Sequence, residues 1–103
     1  PATTSKSSPE EDRKQRARRQ QERSKAIAPL KKKLESVEQR ITTLEGEIAE
    51  LQSQLATPAS GRSGDAFAQW SKSLATKQNE LNDRMKDWES LSLEISSTEQ
   101  KFA

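Results

Sequence analysis

Between Ile27 and Leu55 the apolar side chains Ile27, Leu30, Leu34, Val37, Ile41, Leu44, Ile48, Leu51 and Leu55 recur in alternating steps of three and four without interruption. The alternation is a heptad seam, with Ile27, Leu34, Ile41, Ile48 and Leu55 at position a and Leu30, Val37, Leu44 and Leu51 at d. Lys, Glu, Gln, Ser and Thr fill nearly every other position. A stripe this narrow predicts a helix paired with one other helix, because it offers no broad face to a globular core.

The partner lies in the same chain. Phe67, Leu74, Leu81, Trp88, Ile95 and Phe102 recur every seven residues, with Trp70 and Leu91 at intervening d positions. Folding back around residue 61 sets Leu55 against Phe67, Leu51 against Trp70, Ile48 against Leu74 and Ile41 against Leu81. It also sets Leu34 against Trp88, Leu30 against Leu91 and Ile27 against Ile95, and the numbers in each pair total 121 or 122. Unrelated heptad segments would not share that mirror, so the expected fold is all-α: a monomeric two-helix antiparallel coiled-coil hairpin with a disordered or frayed basic N-terminal segment. The composition agrees, since 103 residues that are 29% hydrophobic and 33% charged supply too little apolar material for a larger core.

Residues 1–8 are small and polar and read as a disordered linker from a longer protein. Residues 9–28 read as a basic helical or frayed segment. Ser8 is placed to cap it, with Pro9 at the first helical position, Glu11 three residues after the cap, and acids in the first turn. Beyond Arg13 the heptad frame puts Arg16, Gln20 and Arg23 where the seam should be, so no apolar stripe supports the helix. Pro29 removes a backbone donor and is expected to kink or break the helix near residues 25–29, or to start it. Residues 29–103 form the hairpin: helix 29–56, a turn over 57–64 rich in Pro, Gly, Ser and Thr, and helix 65–101, capped by Ser63 or Asp65. Lys77 and Arg84 fall at d, opposite Leu44 and Val37. Their stems are expected to cover the seam, with Met85 adding apolar volume. Trp70 and Trp88 are expected to be core, with Trp88 largely buried, the alternative being exposed stacking platforms for bases.

Charge is unevenly placed. Arg13, Lys14, Arg16, Arg18, Arg19, Arg23, Lys25, Lys31, Lys32 and Lys33 face one acid, Glu22, so residues 13–33 carry a local net of +9. Residues 34–103 carry −5, and the overall +2 conceals a polarised molecule. These ten residues are the candidate nucleic-acid-binding set, contacting phosphate backbone without reading sequence. The segment has no apolar face to lay on a membrane.

Catalysis has no candidates here. The chain lacks cysteine and histidine, which removes thiol nucleophiles, imidazole bases and most zinc sites. Gly46, Gly61 and Gly64 do not form a P-loop, and carboxylate pairs such as Glu47 with Glu50 lie on a solvated face. No metal and no cofactor is expected in this chain. No stretch approaches the roughly 20 apolar residues of a membrane span.

Three stretches together resemble the C-terminal coiled-coil extension of bacterial ABC-F ATPases. They are Arg-Ser-Lys-Ala-Ile-Ala-Pro-Leu-Lys-Lys-Lys-Leu-Glu over residues 23–35, Ile-X-X-Leu-Glu-X-Glu-Ile-X-X-Leu-X-X-X-Leu over 41–55, and Trp88-Glu89-Ser90-Leu91. The resemblance covers most of the chain. It departs at the tip, which lacks an aromatic residue, and after Leu91, where Ser92 stands in place of an acid. The resemblance implies a cytoplasmic protein whose two ATP-binding cassettes precede a basic linker and the hairpin. It also implies action on ribosomes and, in some members, DNA binding. Any ATPase activity then belongs to the parent protein. Two functions compete: a nucleic-acid-binding accessory domain, contacting ribosomal RNA or DNA, and a coiled-coil module for protein interaction or oligomerisation.

Overall fold

A computed structural model describes residues 8–57 and 64–103, which form two helices, α1 over Pro9–Ala56 and α2 over Gly64–Lys101. No strand is present among the described residues. Most of the expected linker and the tip from Pro58 to Ser63 lie outside the described residues.

The antiparallel register is fixed by polar contacts between the helices. Arg40 donates twice to Glu80, from Nε to Oε2 and from Nη2 to Oε1, both at 2.7 Å. Lys77 Nζ donates to Glu47 Oε1 at 3.0 Å, and Arg23 Nη2 lies 3.5 Å from Glu99 Oε1. Together with Trp88 on Glu38, these pairs centre on residues 60–63, the fold-back point that the mirrored seams predict.

Leu44 is fully buried, and Ile27 and Ile48 are buried with it. The other seam leucines, isoleucines and valine are half-buried, as expected where two helices meet with solvent on both sides. Leu44 faces Lys77 in this register. The Lys77 stem closes that layer while its ammonium reaches Glu47 at the rim, so the expected snorkelling is realised. Arg84 is half-buried, with Nε 2.9 Å from Asp87 Oδ2 but outside hydrogen-bonding geometry. Met85 does not fill the layer beside it, being 52% exposed.

Helix α1 runs through Pro29, so the helix neither breaks near residues 25–29 nor starts at Pro29, and the basic segment, read as helical or frayed, is helical from Pro9 onward. Two physical causes act. Ser8 Oγ accepts from Glu11 N at 3.2 Å and Pro9 occupies the first turn, so the helix start is capped. Pairing with α2 also spans the proline, from Arg23 with Glu99 on one side to the seam on the other. A helix already nucleated there extends into the basic segment at little cost per residue.

Trp88 departs from the expectation of burial. It is 41% exposed, and its Nε1 donates to Glu38 Oε2 at 3.0 Å. A two-helix seam has no third layer to cover an indole, and the ring N–H requires a polar partner, so the side chain leans to the rim where Glu38 stands. Phe67, in the layer nearest the tip, is likewise exposed.

Candidate nucleic-acid interface

With 48 residues against 38, α1 outruns α2. In the observed register Lys101, the last residue of α2, lies opposite about Gln21, so the first three turns of α1 project beyond their partner. Arg13, Lys14, Arg16, Arg18 and Arg19 stand on this projection and all are exposed. Lys25, Lys31, Lys32 and Lys33 follow on the paired portion and are exposed too, whereas Arg23 is half-buried against Glu99. Of the ten, Arg23 is the one with an ion pair among the described residues.

Continuity of α1 sorts these charges into rows that a broken helix would not have kept in phase. Arg18, Lys25 and Lys32 lie nine residues before Ile27, Leu34 and Ile41, about two and a half turns, and so face directly away from the seam. Lys14 adds to this row one turn before Arg18. The outer row Lys14, Arg18, Lys25 and Lys32 therefore runs about 27 Å along the helix, flanked by Lys31 and Lys33. Arg16, Arg19 and Arg23 occupy the seam side. The sequence offers all ten as candidates one by one, and their division into an outer row and a seam-side row follows from the phase of a helix continuous across Pro29.

Such a row offers fixed positive charge and several N–H donors to a polyanion, with no carboxylate among its members. No Asn or Gln stands on a rigid apolar-backed surface among these cations, so the arrangement suits backbone contact and not base reading. Among the described residues no group of three or more His, Cys, Asp or Glu is placed to hold a metal ion. Nor is any described helix long and apolar enough to cross a membrane.

Comparison with known proteins gives one match. No curated protein and no solved structure matches the chain. The model of the ABC transporter C-terminal domain family matches residues 25–93, from the basic segment's last turn through the Trp88 motif, and leaves Arg13 to Arg23 ahead of it. The matched stretch includes the whole first seam, the fold-back and the second seam as far as Leu91, which makes the hairpin an accessory C-terminal unit of an ABC protein. By this match, and by the hairpin that carries it, the chain belongs to the ABC transporter C-terminal domain family.

Proposed function

We propose that this chain is the nucleic-acid-binding accessory domain of an ABC-F-type ATPase of the cytoplasm, holding the phosphate backbone of ribosomal RNA or DNA. The observation that carries the reading is the outer row of Lys14, Arg18, Lys25 and Lys32, exposed and without ion pairs among the described residues, on a helix whose seam-opposed face is free of the hairpin partner. Exposed cations that a protein does not neutralise internally release counterions when they meet a phosphate backbone, and that release drives association. The ABC-F assignment rests on the Pro29-Leu30-Lys31 and Trp88-Glu89-Ser90-Leu91 stretches within the family match.

Binding to random-sequence duplex DNA and to double-stranded RNA, measured by fluorescence anisotropy across a salt series, tests the reading. The outer row and its flanks supply about four to six phosphate contacts, so log K falls against log salt with a slope of roughly −3 to −5. Changing Lys14, Arg18, Lys25 and Lys32 together to Glu abolishes binding and leaves helicity unchanged, because none of the four touches the seam. Binding that ignores salt, or that survives the four changes, would leave the hairpin as a protein-interaction module.

A further inference from the structure

The two edges of the hairpin differ. Along the edge that carries Arg40, Glu47 and Glu80 the charges neutralise one another: Arg40 with Glu80, Lys77 with Glu47, and Arg84 with Asp87. Along the opposite edge, which carries Glu38 and Met85, no ion pair forms among the described residues at the level of Trp88. There, Trp88, Met85, Ile41, Thr42 and Glu38 line an open groove of about 290 Å³. Trp88 and Met85 are exposed apolar surface within it, and Glu38 is held at the indole edge by the 3.0 Å bond from Nε1. That bond uses one carboxylate oxygen and leaves the negative charge uncompensated. Glu35 lines the adjoining groove with Glu38, and Glu45 follows one heptad on; neither has an ion pair among the described residues.

An aromatic face, a thioether and an unneutralised carboxylate at one place select their occupant. The ring face attracts a cation, and a carboxylate fixed at the ring margin strengthens that attraction. The apolar walls favour a cation carried on methylenes over a bare ion. The same carboxylates repel nucleic acid and anionic lipid. We propose that this groove is a docking site for a partner protein that inserts an arginine or lysine side chain, its stem against Met85 and Ile41 and its charge between the Trp88 ring and Glu38. Trp in a rimmed pocket is the kind of residue on which interface energy concentrates. The site stands about 27 Å along α1 from the nearer end of the basic projection and does not depend on what that projection binds.

The test uses the full chain labelled with nitrogen-15, whose two indole N–H signals are assigned by Trp70→Phe. The probe is a leucine–alanine helical peptide carrying one arginine, compared with its twin carrying glutamine. The Trp88 signal is expected to move saturably with the arginine peptide while the Trp70 signal stays in place. The twin should bind about tenfold more weakly or worse. Glu38→Gln keeps an acceptor for Nε1 while removing the charge, and should weaken the arginine peptide by a similar factor. The Lys14, Arg18, Lys25 and Lys32 quadruple variant should bind the peptide normally, which separates this site from the nucleic-acid reading. Absence of a saturable shift, or an equal response to the glutamine twin, overturns the proposal. A shift produced merely by concentrating the protein overturns it too, since a second copy would then be the occupant.

Discussion

Replacing Leu44 by Ala probes the one layer that the hairpin closes completely. Leu44 has no exposed surface, while Leu93, on the outer face of α2, is 64% exposed, so the two leucines form an internal comparison. Leu→Ala removes three carbon groups at about 0.8 kcal/mol each, and the cavity left behind adds to this, for a loss of about 2.5 to 3.5 kcal/mol. The lower part of the usual range applies because a layer open to solvent on two sides can relax onto the gap. A single-seam hairpin of this length holds on the order of 5 kcal/mol in total, so one substitution removes half or more of it. At about 4 to 8 °C per kcal/mol, the midpoint of a thermal melt followed by far-UV circular dichroism should fall by roughly 10 to 28 °C. Leu93→Ala should change stability by less than about 0.5 kcal/mol. Equal losses from the two variants would refute the register, because they would mean that Leu44 does not face α2.

Pro29→Ala restores a donor to the Lys25 carbonyl and should raise the melting midpoint by an amount equivalent to about 1 to 3 kcal/mol, with a fall showing that the ring is needed against α2. Lys77→Leu with Arg84→Leu should also stabilise: two rim ion pairs worth about 0 to 1 kcal/mol each are exchanged for apolar seam surface worth more, and a lower midpoint would contradict the placement of both at d. The Arg40 guanidinium, bonded to Glu80 through two donors, holds that carboxyl below the usual carboxylate range, with burial opposing and the charges of Arg40, Arg84 and Lys77 assisting. A depressed folded-state pKa stabilises above the unfolded value and is lost as pH falls through the folded one. The advantage of the native chain over Glu80→Gln should therefore vanish on acidification below the ordinary carboxylate range, and a difference indifferent to pH would show that the pair contributes no linkage.

The seam was legible because a period of three and four leaves few alternatives, and because its mirror image sits in the same chain. The exposure of Trp88 was not, since a heptad assigns a side chain to an edge but says nothing about how deep a two-helix seam can be; Glu38, its partner, carries no signal beyond lying one residue from d. The continuity of the basic segment with the seam was hidden for a related reason. Arg16, Gln20 and Arg23 supply no stripe, and what sustains the segment is its connection to Ile27 and Leu30 across a proline that local rules treat as a barrier. The ten cations were legible one by one, whereas their division into an outer row and a seam-side row required the helical phase.

The register also orders the folding of the hairpin. Contacts along it span steadily longer stretches of chain: Lys77 meets Glu47 across 30 residues, Arg40 meets Glu80 across 40, and Trp88 meets Glu38 across 50. Closing the shortest loop carries most of the entropic cost, and going from the first of these contacts to the last adds only about 0.5 kcal/mol. Leu44 and Ile48 lie beside the shortest of these contacts and are buried, while Phe67 nearer the tip is exposed and Ile27 at the base is buried. Loop entropy thus favours closing from tip to base and, by microscopic reversibility, opening from the base. In that order Arg23 and Glu99, the ion pair farthest from the tip, join last and part first, which places the root of the charged projection at the end of the hairpin that closure reaches last.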